Sequence, residues 1–155
     1  MPAFATVQDV ADEYGTEYLA ELAAGASEFD PADAEDPVTV KVQRQLDRFG
    51  AKLDGAVRAR YGDAHGYDET NALLNGMNAQ GAFLYVMEKG RGGLDDKAEK
   101  SLERLVKDVD RISAGTLTLE TDAEPAPEPG APSDDWFRGR DRVFARPYRQ
   151  EGVTA

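Results

Sequence analysis

The only histidine in the 155-residue chain is His65, in the segment GDAHGYD, with Asp63 two residues before it and Asp68 three after. An imidazole and two carboxylates can hold a metal ion, but only where geometry is fixed and outer groups support the ligands. A glycine-containing turn offers neither, so the segment reads as a solvated turn. There are no cysteines, which excludes disulfides, thiolate nucleophiles and cysteine-ligated metals. Any histidine-based triad would have to be built on His65. The acidic pairs Asp95-Asp96 and Asp108/Asp110 have the composition for general acid–base work. A chain with 30 acidic residues produces such pairs on helix surfaces by chance. The GRGG at residues 90–93 reads as a helix stop rather than a phosphate cradle, and no G-x-S-x-G, Walker loop or H-E-x-x-H occurs. The reading is therefore not an enzyme, with no cofactor and no metal.

A second constellation points to binding. Residues 135–150, DWFRGRDRVFARPYRQ, hold five Arg and two Asp. Residues 1–134 carry 27 acids against 13 bases. The basic island contains Trp136, Phe137, Arg138, Arg140, Arg142, Val143, Phe144, Arg146, Tyr148 and Arg149, including the only Trp of the chain. Trp, Tyr and Arg dominate interface hot spots, so docking on another protein is the favoured use of this stretch. Aromatics among arginines also suit single-stranded nucleic acid or a membrane, and the lesser alternative to protein docking is that the island folds back on its own acidic body. The formal charge of −12 argues against a plain DNA-binding surface, which needs clustered cations. Asp outnumbers Glu 17 to 13 and Lys is scarce at six. This pattern fits a halophilic host, or a GC-rich genome with an ordinary acidic surface.

Between body and island, residues 120–134 hold four Pro, five acids and no base. Such a segment is stiff, self-repelling and unable to form a core. Its last fourteen residues in polyproline geometry would span roughly 43 Å. The organisation expected is a helical body over 1–119, an acidic Pro-rich linker over 120–134 and an Arg/aromatic docking tail over 135–155.

The elements that must position these features read as all-α: a small bundle of about four main helices, a short β-like segment and an extended C-terminal tail. Thr6 with Asp9 has capping-box spacing for a short helix ending at Gly15, and Thr16 can cap a second that stops near Gly25. Asp36-Pro37 is a strong helix start. Val38, Val42, Leu46, Phe49, Leu53 and Val57 follow at helical steps to about Tyr61. The next helix is expected from Asp68 or Thr70. Its face would carry Leu73, Met77, Gln80, Leu84 and Met87, with Gly76 and Gly81 where a neighbour comes close and Gly90 among the glycines that break the chain. A further helix starts at Asp95 or Asp96, the latter spaced from Glu99 like a capping box, and buries Leu102, Leu105, Val106, Val109 and Ile112 before Gly115. Thr116–Leu119 alternates like a strand with nothing evident to pair with. No run of about 18 apolar residues suggests a membrane span, and the first residues lack the pattern of a signal peptide.

The order of these elements resembles the head-completion, or head–tail adaptor (connector), proteins of long-tailed phages and Mu-like prophages. The resemblance covers roughly residues 4–119 and the RVFARPYR motif. It rests on FGAKLDGAVRARYG closing one helix, LNGMNAQGAFLYVMEKGRG forming the next, AEKSLERLVKDVDRISAGTLTL forming the last and its exit, and Arg142–Arg149 in the tail. It implies a structural virion protein of the neck, between capsid and tail. Such proteins form a ring, usually of twelve copies, under the portal. Genomic DNA passes through the lumen without sequence-specific binding, and no membrane is involved. The tail residues named above would engage the portal protein, and the opposite face a head-closure or tail protein. An acidic wall repels phosphate, so an acidic body suits a conduit. The competing reading is an acidic helical regulatory or DNA-mimic protein that binds a basic partner through its carboxylates.

Overall fold

The computed structural model describes residues 4–68 and 70–119. Among them the chain is all-α, with five helices and no strand: α1 Val7–Tyr14, α2 Thr16–Ala24, α3 Pro37–Tyr61, α4 Ala72–Arg91 and α5 Asp96–Ser113. The linker (120–134) and docking tail (135–155) lie outside the described residues.

Four of the five helices start where a capping side chain satisfies one of the free N–H groups. In α1, Thr6 accepts from Asp9 N–H at 3.2 Å and the Asp9 carboxylate accepts from Thr6 N–H at 2.7 Å, closing the expected capping box. Asp36 caps α3 through Val38 N–H at 2.8 Å, with Pro37 in the first turn. Asp95, rather than Asp96, caps α5 through Ala98 N–H at 2.7 Å. Two expected starts are displaced. Thr16 is the first residue of α2, and Gly15 takes the cap position without a side-chain bond. Helix α4 starts at Ala72 because Asn71 accepts from Leu74 N–H. Asp68 is already occupied, its Oδ1 accepting from the Thr70 amide and hydroxyl at 2.8 and 2.7 Å.

The core is built on α3 and α4. All six stripe residues of α3, from Val38 to Val57, are buried. Burying each contributes roughly 1.5–3 kcal/mol. Helix α4 is buried on nearly every side, from Ala82 through Met87 without a break, because α1, α2, α3 and α5 all pack on it. A single stripe therefore does not describe it. Leu73 is 41% exposed and Leu74 takes the inward position. In α5, Leu105, Val109 and Ile112 are buried as expected, whereas Leu102 and Val106 are only half-buried.

Two glycines set the helix spacings. A Cβ at Gly81 would lie 2.3 Å from the Phe49 ring, and one at Gly90 would lie 2.1 Å from the Leu22 carbonyl oxygen. Gly81 is the close approach expected of it. Gly76 is not, since nothing lies within 4 Å. Gly90 does not break the chain: it is inside α4, where α2 crosses, and the helix ends in the left-handed turn at Gly92.

Candidate docking surface

The ten expected docking residues, from Trp136 to Arg149, lie outside the described residues. The point from which the tail leaves the body is described. After α5 the chain turns back on itself, and the amides of Thr116 and Leu117 donate to the Arg111 carbonyl at 2.9 and 3.0 Å. The segment is irregular rather than a strand. Leu119 is buried, and its amide donates to the Tyr61 hydroxyl at 3.2 Å. Tyr61 packs edge-on to Tyr67, ring centroids 5.1 Å apart. The root of the tail is thus fixed against the C-terminal end of α3.

The loop beneath this root corrects the reading of His65 as part of a solvated turn. Its side chain is only 5% exposed. Nδ1 accepts from the Tyr67 amide at 3.0 Å, and Nε2 lies 3.2 Å from Asp54 Oδ1. Nδ1 is therefore the unprotonated nitrogen, and Nε2–H donates to the carboxylate. Arg58 Nε donates to the other Asp54 oxygen at 2.7 Å. Both ring nitrogens are engaged, so the imidazole has no lone pair to offer a metal. Asp63 lies 3.6 Å from Arg58, and the two bonds from Thr70 hold the Asp68 carboxyl below its ordinary pKa. The three candidate ligands are used separately, and no cluster of three or more metal-ligating side chains occurs among the described residues. His65 instead pins the 62–70 loop to α3.

A second surface escaped the sequence reading. Lys41, Arg44, Arg48 and Lys52 are exposed along one face of α3, at steps of three, four and four, the spacing that aligns side chains on a helix. From α4, Tyr85 meets them: the Arg48 guanidinium lies 4.4 Å above its ring, and Lys52 Nζ donates to its hydroxyl at 2.9 Å. At the upper end a cleft of about 260 Å³ opens between α2, α3 and α4, lined by Lys41, Arg44, Gln45, Lys89 and Gly90. Lys41 Nζ donates to the Ala23 carbonyl at 2.6 Å, holding the end of α2 over the cleft. Gln45 is 5% exposed, and its Oε1 has no hydrogen-bond partner. Among the described residues, no carboxylate lies within ion-pair distance of these five cations. Helix α5 exposes both signs, Asp96, Glu99, Glu103 and Asp110 among Lys97, Lys100, Arg104, Lys107 and Arg111.

Unpaired cations in a chain this acidic form an attractive site for carboxylates or other anions. The signal was legible as the 41-44-48-52 spacing. What the spacing does not show is that Lys89 and Tyr85 join it across the α3–α4 contact. Searches against protein-family profiles, curated proteins and solved structures find no match to this chain.

Proposed function

We propose that the chain is a structural head–tail adaptor of a tailed virus: a neck protein that forms a ring below the portal, lets DNA pass, and docks on the portal through its C-terminal tail. Its work is assembly rather than catalysis. The observation that carries the reading is the rooted exit at Leu119. A rigid helical body ends in a buried, hydrogen-bonded anchor, beyond which come an acidic linker and an Arg/aromatic island. Aromatic anchors such as Trp136, Phe144 and Tyr148 would fill pockets on the portal, and the arginines would pair with its carboxylates. The ordering cost of the tail is offset by the many equivalent contacts of a ring.

The test is capture by the portal protein of the same virus. Full-length chain should be retained, and chain ending at residue 134 should be lost. Equal capture of the two forms would sink the adaptor reading and favour an acidic regulatory protein acting through its body. Images of assembled particles add a second check, because the chain should appear as a ring at the neck.

A further inference from the structure

His65 is the only histidine and there are no cysteines. No other side chain in the sequence is therefore of a type that ordinarily titrates between pH ~5 and ~8. We propose that His65 is a proton-operated latch on the root of the C-terminal tail. Neutral, it holds the loop after α3 and the exit at Leu119 closed; protonated, it releases them.

The Tyr67 amide donates to Nδ1 of His65 at 3.0 Å, which requires a lone pair on that nitrogen. A proton added there turns the acceptor into a donor aimed at another donor. The bond is lost, and two N–H groups face each other where the His65 side chain is 5% exposed and Tyr67 is 7% exposed. The other nitrogen cannot take the proton instead, because Nε2 already carries one for its bond to Asp54 at 3.2 Å.

Asp54 attracts an imidazolium, and that attraction opposes release. Two features weaken it. The bond from Nε2 to Asp54 exists in the neutral form, so protonation strengthens a contact rather than making one. The carboxylate is also shared with Arg58, whose Nε donates to its other oxygen at 2.7 Å, and the guanidinium repels a second cation. The other charges around the loop are committed elsewhere or lie outside it. Asp63 is 3.6 Å from Arg58 with its side chain 90% exposed, and Asp68 accepts from the Thr70 amide and hydroxyl. Arg60 reaches the exit segment, where a Cβ added at Gly115 would stand 2.7 Å from its guanidinium carbon. The first turn of α4 and residues 114–119 carry no charge.

The effect passes beyond the loop. Tyr67 packs edge-on against Tyr61, ring centroids 5.1 Å apart, and its ring centroid lies 5.5 Å from that of the imidazole. The Leu119 amide donates to the Tyr61 hydroxyl at 3.2 Å. Imidazole, Tyr67, Tyr61 and Leu119 form one chain of contacts that ends at the root of the tail. When the Tyr67 amide leaves Nδ1, its ring loses its hold on Tyr61, and the hydroxyl that fixes Leu119 is no longer braced. The latch bears on how the tail is rooted, whatever partner its side chains dock on, so it stands or falls apart from the adaptor reading.

The experiment is amide hydrogen exchange followed by NMR on the full-length chain at pH ~7.5 and ~5.5, on either side of an ordinary imidazole titration. Rates are corrected for the intrinsic effect of pH. Protection of the Tyr67 and Leu119 amides should fall at least about tenfold in acid, the scale of one buried hydrogen bond lost, while protection of Leu53 in the middle of α3 stays unchanged. His65→Asn is the control. Its side-chain oxygen can accept from the amide two residues on, as asparagine does in turns, and it takes up no proton in this range. Its Tyr67 and Leu119 protection should not respond to pH. Nitrogen NMR of the parent imidazole at pH ~7.5 should show the Nε2–H tautomer. A neutral ring protonated at Nδ1, protection that holds or rises in acid, an equal fall in His65→Asn, or a fall at Tyr67 that leaves Leu119 protected would each overturn the proposal. If His65→Asn does not fold, the tautomer and the two protection readings of the parent decide it.

Discussion

Replacing Asn78 by leucine should make the protein more stable. Asn78 is 0% exposed, in the middle of α4 facing α3, and neither its Nδ2 nor its Oδ1 has a hydrogen-bond partner. Its nearest α3 neighbour is Gly50, where an added Cβ would stand 3.4 Å from Nδ2. An amide desolvated without partners costs about 1–3 kcal/mol by mutational measures. Leucine has the same number of side-chain heavy atoms in the same branching, so it fills the site with little overpacking, at a cost below about 1.5 kcal/mol. It is also a better helix former by a few tenths of a kcal/mol. The net expectation for Asn78→Leu is a gain of about 1–2 kcal/mol, which for a chain of this size raises Tm by roughly 3–8 °C. Thermal unfolding followed by circular dichroism measures the shift. A urea titration should show a higher midpoint at unchanged slope, the mark of a stability change without a change in compactness. Asn78→Ala should gain less, because the truncated side chain leaves a cavity. A fall in Tm for Asn78→Leu would refute the reasoning: the amide would then be making bonds in the folded protein that outweigh its desolvation.

Other substitutions test the packing and the caps. Gly81→Ala should lower stability by at least about 1–3 kcal/mol through overpacking against Phe49. Gly76→Ala, with open space around it, should raise stability by about 0.4–1 kcal/mol; chemical denaturation of the pair separates the two roles. His65→Ala should lower Tm by a few degrees, as the buried loop bond to Asp54 is lost. On the adaptor proposal it should leave portal capture intact. Asp9→Asn tests pH dependence. Burial raises the Asp9 carboxyl, but bonds from the Thr6 amide, the Thr6 hydroxyl and Asn75 outweigh it, and its pKa falls below the ordinary 3.8. The ionised carboxylate therefore stabilises the fold at neutral pH, and that stabilisation is lost as pH falls through the lowered value. The parent should exceed the variant by about 1 kcal/mol at pH 7, and the gap should close in acid below pH ~4.

Several features carried by one residue or one short spacing were legible in the sequence, although the caps expected at Thr16 and Asp96 and the close approach expected at Gly76 were not found. The six-residue stripe of α3, its Asp36-Pro37 start, the Thr6–Asp9 capping box and the stop at Gly62 all follow from contacts within three or four residues, and the structure has each of them. The division into acidic body, proline-rich linker and basic aromatic island is likewise a matter of composition. Tertiary structure decided what depends on neighbours distant in the chain. The middle of helix α4 is buried on nearly every side, so no single stripe marks it, and which leucine turns inward follows from four surrounding helices. Gly90 lies inside a helix because the backbone of α2, some 70 residues earlier, crosses it. His65 is buried because the loop folds onto Asp54, eleven residues back, a bond no local pattern announces. The basic face was half legible, as four cations at helical spacing on α3. It became a cleft only when α4 brought Lys89 and Tyr85 beside it and α2 laid its last carbonyls across the end. Local interactions select elements, but a surface is assembled from several elements at once, and its chemistry appears only when they pack.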